Sequence, residues 1–129
     1  MDLESIRRHC VRKRAPLAPW RKAPKGKVTE EFPFGESVLV FKIFGKMFLL
    51  AMLDDIPLTI NLKCEPSLAL DLRERYRAVT PGYHMNKKHW NTVTIDGSIP
   101  DKEIFAMIDH SFELIAANLP KNQRRKTHA

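Results

Sequence analysis

The chain has 129 residues, of which 43% are hydrophobic, so it is long enough to form one domain with a buried core. No apolar run approaches the roughly 20 residues that a transmembrane helix needs, and no apolar segment follows the charged N-terminus. Two cysteines, Cys10 and Cys64, are too few for a disulfide scaffold. We therefore expect a cytoplasmic protein with reduced thiols and no membrane partner.

The net charge of +7 is distributed unevenly along the chain. Residues 1–27 carry nine Lys and Arg against two acids, residues 28–119 carry nine against thirteen, and residues 120–129 carry four against none. Flexible cations bind any polyanion without reading its sequence, so the ends favour nonspecific contact with DNA. The central part is net acidic, and the high isoelectric point therefore lends little support to DNA binding by that part.

The first third of the chain predicts a helix and then a loop. Leu3, Ile6 and Cys10 follow the N-cap residue Asp2 at helical spacing, and we expect this helix to pack on a sheet. Residues 11–27 contain three prolines and seven cations, which excludes a continuous helix and a buried strand. We expect a single domain over residues 1–119, a basic insertion at 11–27 that is a loop or a disordered arm, and a disordered tail at 120–129.

Strand patterns follow the insertion. Residues 38–43 and 46–53 are rich in β-forming residues on either side of Phe44-Gly45, which predicts a hairpin. Leu58, Ile60 and Leu62 then alternate with polar residues, which predicts a strand with one buried and one exposed face.

Two more helices and one strand complete the pattern. Pro66 begins a helix that continues through Leu68, Leu72 and Tyr76 and ends near Arg77. Residues 91–95 predict a strand that directs Val93 and Ile95 inward. The last helix begins at Ser98 and Pro100 and stops at Pro120; its apolar stripe is Ile104, Ile108, Phe112, Ile115 and Leu119. The order predicts an α+β fold in two layers, with helices on one face of an antiparallel sheet.

The motifs of common enzyme classes are missing from the chain. It has no Gly-rich nucleotide motif, no HExxH and no Gly-x-Ser-x-Gly. Asp54 and Asp55 are adjacent between two strands, which is typical of a solvated turn. His84 and His89 would need Cys64 to approach a zinc set, and one ligand would still be missing. We expect no catalytic residue, no metal and no cofactor.

Functional side chains are concentrated in Thr80–Thr92, which reads TPGYHMNKKHWNT. Turn geometry accounts for Gly, Pro and Asn but not for the rest. The candidate binding residues are Tyr83, His84, Asn86, Lys87, Lys88, His89 and Trp90. Lysines hold phosphates, asparagine bonds a base edge or a phosphate, and an aromatic ring stacks, so one interpretation is contact with DNA.

Other interpretations of the same segment remain open. Tyr83, His84, His89 and Trp90 are also suited to lining a site for a planar small molecule. A purely structural interpretation makes Trp90 a core residue and the lysine pair a solvated turn. A third function is protein interaction, through a sheet edge or the exposed face of the strand at Leu58–Lys63.

Several motifs in order resemble the MmcQ/YjbR family of small bacterial proteins. They are EEFPFGESVLVFK (30–42), GKMF (45–48), PLTINLKCEP (57–66), TPGYHMNKKHWNTV (80–93) and SIPDKEIFAMIDHSFELI (98–115). The resemblance implies a compact fold similar to secretion-chaperone-like and CyaY-like folds. It also implies DNA binding by a "double wing" of hairpin-like loops, with Asn86, Lys87 and Lys88 as direct contacts. One member is associated with binding of mitomycin, a planar small molecule. The long insertion at 11–27 departs from the family.

Overall fold

The computed structural model describes residues 1–14 and 26–117. The helices are α1 (Leu3–Val11), α2 (Pro66–Arg75) and α3 (Asp101–Ala116). The strands are β1 (Val28–Glu31), β2 (Val38–Ile43), β3 (Lys46–Met52), β4 (Thr59–Lys63), β5 (Val79–Pro81) and β6 (Trp90–Thr94). Of the predicted insertion only its two ends are described, and they meet in an isolated antiparallel bridge between Arg14 and Lys27. The predicted tail and the predicted end of the last helix lie outside the described residues.

The six strands form one antiparallel sheet in the order β1-β2-β3-β4-β6-β5. The predicted hairpin is confirmed, because Ile43 pairs with Lys46 across Phe44 and Gly45. These two turn residues have φ values of 52° and 76°, as a two-residue turn that matches the strand twist requires.

The helices pack on one face of the sheet, which confirms the predicted fold class. Strand residues of that face and the inner stripe of α3 form one buried cluster, in which Ile60 and Ile108 are both 0% exposed. The rings of Phe48 and Phe112 meet edge to face at 5.2 Å. Each such apolar side chain contributes about 1.5 to 3 kcal/mol when fully buried, so this layer contact holds the fold together. No described helix combines the length and apolarity that spanning a bilayer requires.

Helix α1 contacts both β1 and α3. Asp2 caps its N-terminus by accepting a hydrogen bond from the Ser5 backbone N–H at 2.8 Å. Near its C-terminus, His9 Nε2 lies 2.6 Å from Asp109 Oδ1, and its ring stacks on Phe105 with centroids 4.3 Å apart. The expected partner, a sheet, is therefore only part of its environment.

The prediction of an exposed face on the strand at 58–63 is wrong at its centre. Asn61 is 1% exposed. Its Oδ1 accepts a hydrogen bond from Thr92 Oγ1, and Thr92 Oγ1 in turn accepts one from the Tyr83 backbone N–H at 2.9 Å. Val40 and Leu50, which share this face by strand register, are also buried. The alternation of polar residues did not reveal this burial, because a hydrogen-bonded polar side chain can be buried at little cost.

Smaller differences concern element ends and short edge strands. Helix α2 ends at Arg75 because Tyr76 has extended backbone, two residues before the predicted end. The predicted strand at 91–95 begins one residue earlier, at Trp90. Strands β1 and β5 were not predicted, since they are short and largely exposed, with a proline at the end of β5.

Candidate nucleic-acid interface

Residues 82–90, which connect β5 to β6 and include the first residue of β6, form a closed loop at one end of the sheet. We call it the 82–90 loop. Its two ends are joined by a hydrogen bond from the Gly82 N–H to the Trp90 carbonyl at 2.9 Å. A second bond, from the Cys64 N–H to the His89 carbonyl at 2.8 Å, attaches it to the end of β4. The strand pairing places this loop at the same end of the sheet as the Phe44-Gly45 turn.

Gly82 is required where the loop closes. A Cβ atom at this position would lie 2.8 Å from the Trp90 Cβ and 2.9 Å from the Trp90 carbonyl oxygen. Both neighbours belong to β6, whose backbone is paired on both sides. The close approach therefore leaves no room for a side chain, and the glycine has a packing role rather than a ligand-binding one.

Arg73 of α2 braces the loop from the side. Its Nε donates to Asn91 Oδ1 at 2.7 Å, and its Nη2 donates to the carbonyl oxygens of Lys87 and Trp90, the latter at 3.3 Å. Asn91 is 2% exposed and also donates to the Ala69 carbonyl. This guanidinium is thus bonded to one side chain and two backbone carbonyls of the protein itself, so it holds the loop instead of extending its basic surface.

Asn86 shapes the tip of the loop. Its side-chain Oδ1 accepts from the Lys88 N–H at 3.0 Å, and its carbonyl oxygen accepts from the N–H groups of His89 and Trp90. This pattern is the local turn for which asparagine is suited. Its amide NH₂ donates no hydrogen bond to another residue of 1–14 or 26–117.

The predicted binding residues of the loop fall into two groups by exposure. Tyr83, His84, Asn86, Lys87 and Lys88 are exposed, whereas His89 and Trp90 are half-buried. The rings of Tyr83 and His84 lie 4.0 Å apart at a tilt of 51°. Trp90 is therefore neither a core residue nor an exposed one.

His84 and Lys87 show that the backbone beneath the exposed side chains is fixed. His84 has a φ of 59°, a left-handed conformation that is uncommon outside glycine and is held only where the surroundings determine it. Lys87 Nζ lies 3.3 Å from the Gly82 carbonyl oxygen. The exposed side chains thus sit on a defined backbone.

Charges are arranged favourably around the loop. From Arg75 to Ile95 the chain carries four cations, Arg75, Arg77, Lys87 and Lys88, and no carboxylate. The strand pairing places the turns that carry Glu36, Asp54, Asp55 and Asp96 at the opposite end of the sheet. Glu65 lies closer, next to Cys64, and caps α2 by accepting hydrogen bonds from Ser67 and Leu68. Four acids of residues 28–119 therefore lie far from the loop, whereas Asp71 and Glu74 are exposed on α2, the helix whose Arg73 contacts the loop.

The other sequence candidates have structural roles. Asp54 Oδ2 accepts from Ser37 Oγ at 2.7 Å and Asp55 Oδ2 accepts from Thr59 Oγ1 at 2.5 Å, as expected of a turn. Within residues 1–14 and 26–117, no three His, Cys, Asp or Glu side chains lie together as a metal-binding group. Both cysteines are free thiols and both are buried.

Burial makes both thiols unreactive. It raises the pKa of Cys10 to about 12 and that of Cys64 to about 11. Because only the thiolate attacks a disulfide reagent, we expect neither thiol to react with Ellman's reagent at neutral pH in the folded protein. Both should react at once in denaturant, which serves as the control. Rapid reaction of one thiol without denaturant would contradict the buried positions.

Sequence reasoning did not find a cleft between α2 and α3. Its volume is about 170 Å³, and Leu62 and Val93 of the sheet form its floor. Leu72 and Met107 line the two helical walls. The apolar spacing of each helix was visible in the sequence, but the gap between two helices depends on how they pack.

The loop and the sheet beneath it lie within the part of the chain that matches a known family. The sequence model described as YjbR matches residues 24–114. The chain belongs to the YjbR family. The uncharacterized protein YbdF of Escherichia coli O157:H7 is 38% identical over 96 residues, which cover 74% of this chain and 78% of that protein. The uncharacterized protein YjbR of Escherichia coli K12 is 41% identical over 66 residues, 51% of this chain and 56% of that one.

Solved structures show the same YjbR-family fold. A crystal structure of the Deinococcus radiodurans protein DR2400, described as a DUF419 domain, superimposes with a TM-score of 0.78 at 30% identity. The match covers 96% of this chain and 86% of that one. A crystal structure of a Pseudomonas syringae protein has a TM-score of 0.61 at 33% identity, covering 68% of this chain and 86% of that one. These relatives establish the family and fold of the chain, and their names state no activity.

Proposed function

We propose that this chain is a noncatalytic protein that binds the phosphate backbone of DNA through the 82–90 loop. The observation that carries the proposal is the exposure of Lys87 and Lys88 on a braced loop whose surrounding sequence holds no carboxylate from Arg75 to Ile95. Lysine acts as a point charge on phosphate, and a fixed backbone reduces the entropy lost on binding. The contact is expected to be weak and to read no base sequence.

Exposed rings beside the lysines support a nucleic-acid ligand in particular. Tyr83 is 67% exposed and lies against His84. An exposed aromatic ring next to cations matches the combination that stacks on bases while the charges hold the backbone. The basic residues of 11–27 and 120–129 add nonspecific attraction, as cations of any geometry do.

The proposal is tested by the salt dependence of duplex binding, measured by fluorescence anisotropy. If about four phosphates are neutralised, the logarithm of the affinity should fall by roughly 3.6 per decade of salt. Replacing Lys87 and Lys88 together by alanine should reduce this slope by nearly two. Replacement of Arg8 and Lys102, two exposed cations on α1 and α3, removes the same charge elsewhere and should leave the slope near its original value.

Two outcomes would contradict the proposal. One is absence of binding to duplex or single-stranded DNA at moderate salt. The other is an equal loss of slope in both double variants, which would mean that net charge alone acts. Replacing the four tail cations Lys121, Arg124, Arg125 and Lys126 by glutamine measures separately how much the C-terminal end contributes.

A planar small molecule remains the second candidate for the same loop. The ring pair of Tyr83 and His84 favours it, since aromatic rings line most ligand sites. However, Tyr83 is largely exposed, and small-molecule sites enclose most of the ligand surface. The predicted protein interaction through the face of β4 is weakened by the burial of Asn61. Phosphate contact requires no enclosure, so DNA is the better-supported ligand.

A further inference from the structure

The cleft between α2 and α3 has the size and walls of a site for a small ligand. Its volume of about 170 Å³ compares with the roughly 150 Å³ cavity that holds benzene in an engineered protein core. The apolar side chains that line it are Leu62, Leu68, Leu72, Val93, Ala106 and Met107. These walls fit an aromatic ring or a branched aliphatic group, and they exclude a strongly hydrated one.

Most polar groups of the cleft are already occupied by the protein. Asn91 Oδ1 accepts from Arg73 and its Nδ2 donates to the Ala69 carbonyl. His110 Nε2 accepts from the Glu65 N–H at 3.1 Å. Lys63 also lines the cleft, at the end of β4, and its backbone N–H donates to Ser111 Oγ. The buried Cys64 holds its proton because burial raises its pKa to about 11.

Arg75 and Glu103 place opposite charges on the two helical walls of the cleft. Arg75, on the α2 wall, is exposed, and Glu103, on the α3 wall, is half-buried. Neither forms a salt bridge with another residue of 1–14 or 26–117. The guanidinium carbon of Arg75 lies 5.9 Å from the Tyr76 ring centroid. A ligand with a single charge would be attracted by one of these groups and repelled by the other.

We propose that this cleft binds a small zwitterion with an apolar side group, the class to which the aromatic and branched-chain amino acids belong. The apolar group lies between the helices on Leu62 and Val93. The carboxylate faces Arg75 and the ammonium group faces Glu103. The site contains none of the seven candidate binding residues of the 82–90 loop, although Arg75 is also one of the cations near that loop and Asn91 is bonded to Arg73, which holds the loop.

The test compares ligands that share one ring and differ in charge. L-Phenylalanine, 3-phenylpropanoate and 2-phenylethylamine are titrated into the full chain, and the methyl resonances of Leu62, Val93 and Met107 are followed by NMR. We expect saturable shifts with phenylalanine and affinities about tenfold lower for the two singly charged compounds, as loss of one charge-assisted contact implies. Equal binding of all three compounds would overturn the zwitterion assignment. Absence of saturable methyl shifts with phenylalanine and leucine would overturn the site.

Substitutions in the walls separate this site from adventitious binding. Ala106 is exposed at the cleft, so Ala106→Trp should close it without entering the core, and Ala106→Ser should leave it open. We expect the first variant to lose the phenylalanine shifts and the second to keep them, with unfolding temperatures close to that of the parent. Glu103→Gln and Arg75→Gln should each lower phenylalanine affinity about tenfold. Unchanged affinity in Ala106→Trp or in both charge variants would overturn the proposal.

Discussion

Replacing Arg73 by alanine is expected to lower the free energy of unfolding by about 3 kcal/mol. The guanidinium makes three hydrogen bonds to the loop and to β6. Its removal would leave these partners without a donor, and a buried polar group left unsatisfied costs about 1 to 3 kcal/mol. Asn91 is 2% exposed, so its Oδ1 would have little access to water in compensation. In a domain of this size the loss corresponds to a fall of roughly 10 °C in the unfolding temperature.

Two variants define what Arg73 contributes beyond its charge. Arg73→Lys retains the cation but not the planar fork that reaches Asn91 and two carbonyl oxygens together, so it should recover less than half of the loss. Arg77→Ala removes an exposed cation nearby and should change the free energy of unfolding by about 0.5 kcal/mol or less. If Arg73→Ala and Arg77→Ala had the same unfolding temperature, the hydrogen bonds of Arg73 to the loop would contribute nothing to stability.

Ser111→Ala is the second substitution with a large expected effect, about 3 kcal/mol of destabilisation. Ser111 is 0% exposed in α3. Its Oγ donates to the Phe48 carbonyl at 2.5 Å and accepts from the Lys63 N–H at 2.9 Å. These two backbone groups belong to β3 and β4, just beyond Leu49 and Leu62, the last residues that these two strands pair with each other. Alanine would leave both unsatisfied in the interior, and each such group costs about 1 to 3 kcal/mol.

Chemical denaturation and amide hydrogen exchange test this link between the two layers. Protection of the Lys63 N–H should fall in Ser111→Ala by more than that of its neighbours in β4, because that bond is lost directly. Ser37→Ala is the matched control, since it removes an exposed hydroxyl bonded to Asp54 and should cost no more than about 1 kcal/mol. A loss in Ser111→Ala as small as in this control would mean that water replaces the hydroxyl.

Local patterns predicted most elements, because each rests on a short stretch of the chain. The hairpin at 38–52 follows from two β-rich runs and a turn pair that contains glycine, the residue suited to positive φ. Helix α3 follows from an apolar stripe behind acidic residues that suit its N-terminus. The short edge strands β1 and β5 were missed, since their pairing partners lie outside any local window.

The candidate site shows the same division. The side chains of the 82–90 loop stand out in the sequence because turn geometry does not require them. Arg73 is 18 residues from its partner Asn91 along the chain, so its bracing role could not be predicted. A charge count over residues 28–119 includes the acids and the loop lysines together. Only the strand pairing shows that the turns of Glu36, Asp54, Asp55 and Asp96 lie at the opposite end of the sheet from the loop.

The sequence by itself determined the fold class, the family and the segment in which a site is expected. Periodicity and motifs involve residues that are close together in the chain, so they can be recognised without the structure. Only the tertiary structure decided that Asn61 is buried, that Trp90 is half-buried and that Arg73 faces inward. It also decided that α2 and α3 leave a cleft with Arg75 and Glu103 on opposite walls. These properties depend on pairs of residues far apart in the chain, and packing alone brings such pairs together.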